Sequence, residues 1–207
     1  MEFISKSLFW VANSLLIPDI ILLLVLFGRA LLLAGSFYSQ LMIKRREDRR
    51  FSSKIKNLSF REIAELRDLL PEKDDSLFIK YLREFLGDKT ISKQGDTPLT
   101  EAYAEYLLCC LENEVDKELS LSKLLAKTGP VLGLIGTLIA MSPALVGLST
   151  GDISGMAYNM QVVFATTVVG LVVSLIGLVT LQFKQRWYAK DLYNLEYVSR
   201  ILIAPQS

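Results

Sequence analysis

A chain of 207 residues ordinarily folds as one or two domains, but here the 51% hydrophobic share is segregated rather than spread. The net charge is +1 and histidine is absent, which removes the usual metal ligand and the usual base near neutral pH. No cofactor, metal site or nucleic-acid partner is expected, and no nucleophile–base pair offers itself for covalent catalysis.

Phe3–Ile17 (FISKSLFWVANSLLI) spaces apolar residues with polar ones and reads as a helix in a membrane interface. With only Glu2 and a single Lys6 as charges at the N-terminus, and no small-residue cleavage site, it does not resemble a cleavable leader. Pro18 and Asp19 look like a helix start, with Asp19 near the N-cap position. Ile20–Met42 follows as a first span, interrupted by Arg29 near its middle. An ionisable residue inside a span is a functional candidate, although snorkelling to an interface is the plainer account of Arg29.

KRREDRR, Lys44–Arg50, carries five basic residues against two acidic, and such a flank marks the cytoplasmic side. FREIAELRDLL (Phe60–Leu70) and SLFIKYLREFLG (Ser76–Gly87) are amphipathic, and Gly87–Pro98 reads as a loop. Leu99–Lys127 reads as one long helix running into a second span. It includes Cys109 and Cys110, which are adjacent, without metal-site spacing or a distant disulfide partner.

From Thr128 to Gly151, and again from Ile153 to Phe183, there is no Asp, Glu, Lys or Arg. About 20 residues at roughly 1.5 Å each cross a hydrocarbon core of about 30 Å, so both runs can span. The connection between them is short, and Lys184–Arg186 supplies a second basic flank. The predicted architecture is an all-α membrane protein with three transmembrane helices and a helical cytoplasmic domain formed by the insert and by extensions of spans two and three. Its parts are an outer interfacial helix (1–18), span one (19–43), a cytoplasmic helical domain (44–127), span two (128–148), an outer loop (149–157), span three (158–183) and a cytoplasmic C-terminal helix (184–207). The N-terminus lies outside and the C-terminus inside an inner membrane.

The two charge-free spans carry glycines and hydroxyls at helical spacing. Gly129, Gly133 and Thr137 fall four apart, with Gly136 and Ala140 beside them; Gly170, Ser174 and Gly177 form a second small stripe. Such stripes let helix backbones approach closely in lipid. Thr137, Thr166, Thr167 and Ser174 either hydrogen-bond to their own helices or line a polar path. Pro130 is placed at the inner start of span two, where a first-turn proline is tolerated, and Pro143 in its outer part.

TGPVLGLIGTLIAM (128–141), a short outer connection and ATTVVGLVVSLIG (165–177) together resemble the signature of the MotA/TolQ/ExbB proton channel family, over about Lys127–Phe183. Three spans resemble the ExbB/TolQ branch more than the four-span flagellar stators. The resemblance implies a homo-oligomeric ring, commonly a pentamer, around two helices of a small single-span partner of the ExbD/TolR/MotB kind. The partner's membrane Asp would take up and release the coupling ion. By position, Thr137 and Thr167 match the motif threonines of spans two and three, with Thr166 adjacent. Where ExbB-like proteins carry a Glu, this chain has Val162, beside Gln161 and near Asn159. These two amides would stand at a pore entrance. The chain is therefore expected to bring no acid of its own, leaving the partner to supply the titrating group and Na⁺ open as an alternative to the proton. The rival reading is a membrane scaffold whose glycine and threonine stripes serve packing alone.

Overall fold

The computed structural model describes residues 2–55, 77–87 and 97–203. All of these are α-helical except Gly151 and Asp152. The helices are α1 (Glu2–Ile55), α2 (Leu77–Gly87), α3 (Thr97–Thr150) and α4 (Ile153–Ile203). The amphipathic stretch at 60–70 lies outside the described residues.

Three helices are long and apolar enough to cross a membrane, within Ser14–Met42, Glu101–Thr150 and Ile153–Arg200. Many of their large apolar side chains are exposed in the single chain; Leu32 is 74% exposed, Leu138 64% and Phe164 65%. A soluble monomer does not present apolar surface on this scale, whereas a chain surrounded by lipid or by further copies does. The protein is a multi-pass, all-α membrane protein.

The chain forms two compact units: Met1–Ser39 with Ser120–Gln182, and Gln40–Leu119 with Phe183–Ser207. In the first, Ala30, Leu33, Leu125 and Val173 form a buried cluster, flanked by Leu26, Phe27, Leu121, Val169 and Ile176. The buried positions of α1 continue this stripe at helical spacing, through Asp19, Leu23, Ala30, Leu33 and Phe37. In the second, Leu82, Leu107, Leu111, Leu195 and Val198 are buried. Tyr81 donates to Glu114 at 2.8 Å beside a Lys80–Glu114 ion pair, and Tyr188 donates to Glu118, which also faces Lys184. Burial first, then the Glu114 carboxylate, pushes the Tyr81 phenol above its ordinary pKa.

Two readings of the prolines are corrected. Pro18 and Asp19 do not begin a helix; α1 runs through both. Nor does Pro130 sit in a first turn: it lies deep inside α3, as does Pro143. Each such proline removes one i→i−4 hydrogen bond, and in a packed membrane helix neighbouring groups take up the freed carbonyl.

The turn between α3 and α4 is tighter than the 149–157 stretch read as loop. Gly151 has φ +77°, a left-handed residue that glycine adopts without a Cβ penalty. Its N–H reaches the Leu148 carbonyl at 3.3 Å and that of Asp152 reaches Gly147 at 2.9 Å, the paired bonds of a Schellman cap. Asp152 then caps α4, its carboxylate accepting from the Gly155 N–H at 2.9 Å and the Ser154 hydroxyl at 3.1 Å. These bonds hold the Asp152 carboxyl below its usual pKa, the backbone bond from Gly155 most of all.

Candidate functional site

Within the first unit, α3 and α4 meet along their glycines. A methyl group at Gly129 would stand 2.6 Å from the Gly170 carbonyl oxygen, and one at Gly170 would stand 2.6 Å from that of Gly129 and 2.9 Å from Gly133 Cα. One at Gly177 would meet the Ala126 nitrogen at 2.6 Å. No side chain fits in these gaps, so the backbones touch. Weak association forces between membrane helices depend on such approach.

That contact resolves one of the prolines. Pro130 has no N–H, so the carbonyl four residues earlier, that of Ala126, loses its helical donor. Ser174, 5% exposed on α4, donates its hydroxyl to the Ala126 oxygen at 3.0 Å. Pro130 and Ser174 are thus complementary: one frees an acceptor inside the packed helices, and the other fills it from across the contact.

The threonine hydroxyls are turned onto their own helices. Thr137 donates to Leu134 O at 2.6 Å and Thr167 to Val163 O at 2.9 Å. Thr166, 6% exposed, lies 3.1 Å from Val162 O and 3.0 Å from Val163 O. Each hydroxyl still keeps acceptor capacity on its oxygen. Gly133 faces the Thr166–Gly170 backbone, with the Thr166 carbonyl oxygen 3.4 Å from where its methyl would be. Gln161 is exposed, and the Asn159 amide donates to Gly155 O at 2.9 Å. Arg29 is exposed on α1.

One acid sits among these groups, and it is the one read from sequence as a helix cap. Asp19 is 6% exposed, with its Oδ2 buried and without a hydrogen-bond partner. The point where a Gly136 methyl would stand is 2.9 Å from that oxygen, 2.9 Å from Thr166 Cβ and 3.0 Å from Thr166 Oγ1. The absence of a side chain at Gly136 therefore leaves a space bordered by a carboxyl from α1 and by Thr166 of α4. The sequence places no acid near these threonines; the structure brings Asp19 close to Gly136 and Thr166. The available signal was periodicity: Asp19 precedes Leu23 by four, and shares its face with Ala30 and Leu33. Among the described residues no group of three or more Cys, Asp or Glu side chains could hold a metal ion.

A profile of the MotA/TolQ/ExbB proton channel family matches residues 72–196. No curated protein and no solved structure matches the chain significantly.

Proposed function

The chain belongs to the MotA/TolQ/ExbB proton channel family, whose work is of the proton-channel or motor type, and from that premise we propose that it is a ring-forming subunit of an ion-driven machine. Together with a dimer of a small single-span protein bearing a membrane Asp, it couples an ion gradient, that of the proton, to mechanical work or transport. It lies in the inner membrane with its N-terminus outside and its C-terminus in the cytoplasm. Five copies surround the two partner helices.

The observation that carries this reading is the extent of the family match, which takes in both glycine-packed helices and the turn that joins them. Thr137, Thr166 and Thr167 supply the polar path. Hydroxyl oxygens can accept from a protonated carboxyl and, on rotating, donate to an ionised one without adding a charge that would trap the ion. A carboxylate crossing lipid needs such partners. The driving force is sufficient in scale, at about 2.3 kcal/mol per charge for each 100 mV.

The scaffold reading has one observation in its favour: in the single chain each of these threonine hydroxyls is bonded to its own helix. Two measurements separate the readings. The native mass of the detergent-extracted complex, co-expressed with a single-span partner, is expected to give five copies holding two; a monomer or dimer that ignores the partner overturns the channel. In proteoliposomes, Thr137→Val and Thr167→Val are each expected to lower ion flux by about tenfold or more, the scale of one lost hydrogen bond to a charged group at about 1.5–3 kcal/mol. Unchanged flux would favour the scaffold.

A further inference from the structure

We propose that Asp19 is a second proton-binding site, contributed by this subunit itself, in the pocket between Gly136 of α3 and Thr166 of α4. The argument begins with what the carboxyl lacks. Asp19 is 6% exposed and its Oδ2 has no donor, although a carboxylate is an acceptor-only group that calls for several. The hydroxyl across the space at Gly136 does not serve as that donor: Thr166 directs its hydrogen to the carbonyls of Val162 and Val163. Its oxygen remains free to accept.

The arrangement therefore suits a carboxylic acid: a protonated Oδ2 carries no charge to be solvated, and the Thr166 hydroxyl oxygen, across the space at Gly136, keeps acceptor capacity. An ionised carboxylate there would be buried without a hydrogen bond at Oδ2, a costly state.

Nor does a cation stand in. On α3 there is no Asp, Glu, Lys or Arg from Thr128 to Gly151, and on α4 none from Ile153 to Phe183, where Tyr158 is the one ionisable side chain. Tyr158 precedes Thr166 by eight residues and is 68% exposed. On α1 the nearest charged side chains are Lys6 and Arg29; Arg29 is ten residues on, about 15 Å along the axis, and lies on the exposed side.

The pocket also explains a glycine. At Gly136 a methyl would come within 2.9 Å of both Oδ2 and Thr166 Cβ, so the site exists only because that position has no side chain. Proton release requires a donor to reach Oδ2, either by movement of the Thr166 side chain across the space at Gly136 or by water entering from a neighbouring copy. Either makes occupancy of Asp19 responsive to how α1 packs on α3 and α4.

The binding half of this assignment stands without the channel; its part in flux rests on the proposed function. The test uses the full-length protein with its co-expressed partner in lipid, labelled with ¹³C-aspartate. Infrared spectroscopy at the pH of the flux assay is expected to show a protonated-carboxyl stretch that Asp19→Asn removes and that a Gly136→Ala variant shifts in frequency. A wild-type spectrum without such a band, or one unaltered in Asp19→Asn, overturns the proposal. A band abolished by Na⁺ but not by equal K⁺ would also overturn it, reassigning the pocket to a sodium ion. In proteoliposomes Asp19→Asn is expected to lower proton flux by about tenfold. If Thr137→Val stops flux while Asp19→Asn leaves it at the wild-type rate, the channel stands and the site has no part in it. The wild-type pH titration of the band does not depend on any variant folding.

Discussion

The pairing of Pro130 with Ser174 makes a prediction that a double-mutant cycle can test. Ser174→Ala removes the hydroxyl that donates to the Ala126 carbonyl at 3.0 Å. Pro130 prevents the helix from replacing that donor, so the carbonyl is left unpaired in a contact with no room for lipid or water. An orphaned buried acceptor costs about 1–3 kcal/mol in a soluble core, while interhelical bonds in membrane proteins average about 0.6 and reach about 1.7 kcal/mol. Because the helix has no fallback here, Ser174→Ala should cost about 1–1.5 kcal/mol, toward the upper end of the membrane range. Pro130→Ala restores an N–H four residues after Ala126. In that background Ser174→Ala should cost no more than about 0.3 kcal/mol, which leaves a coupling energy of about 1 kcal/mol, within the usual span for residues sharing one hydrogen-bond network. The assay is reversible unfolding of the purified protein in mixed micelles, followed by circular dichroism against the mole fraction of denaturing detergent. Strict additivity, with Ser174→Ala equally costly in both backgrounds, would refute the claim that the proline creates the acceptor the serine satisfies.

The same assay tests the glycine contact. Gly170→Ala brings a methyl to 2.6 Å from the Gly129 oxygen, short of an ordinary 3.4 Å contact by about 0.8 Å with backbone on both sides. Overpacking of about 1–3 kcal/mol outweighs the roughly 0.8 kcal/mol gained in helix propensity, so a net loss near 1–2 kcal/mol is expected. Gly28→Ala, where nothing lies within 4 Å of the added methyl, should be neutral or stabilising; equal behaviour at both positions would remove the contact from the account. Asp152→Ala removes the cap of α4 and should lower stability at neutral pH. Because the folded Asp152 carboxyl titrates below its ordinary value, its contribution is complete above the unfolded pKa of about 3.9 and fades as pH falls through the lower folded value. The gap between wild type and Asp152→Ala should therefore narrow in acid; a gap that widens there would contradict the cap.

Much of this protein was legible from local pattern. Charge-free runs of 24 residues or more from Thr128 and from Ile153 mark helices that suit lipid, because length and hydropathy are one-dimensional properties. The glycine spacing is equally local, since residues four apart share a helix face whatever they meet. The tight turn was only partly visible: Gly151 and Asp152 are ordinary turn residues, but Ser149 and Thr150 read as loop while their hydroxyls bond back to helix carbonyls at Val146 and Gly147. The prolines misled for a related reason. A proline following the pattern of a first turn is cheapest there in an isolated helix, and no local rule shows that a serine 44 residues later will occupy the carbonyl it frees.

Sequence by itself thus determined the class of molecule: three apolar helices, a small-residue seam in two of them, and motifs that place the chain in its family. Only the tertiary structure decided what the polar groups face. Asp19 beside Pro18 has every local feature of a helix cap, and its burial follows from the stripe of α1 settling against α3 and α4 at Gly136 and Thr166. Burial of a charge depends on what three distant segments exclude together, and a helix reports its own period but not its neighbours.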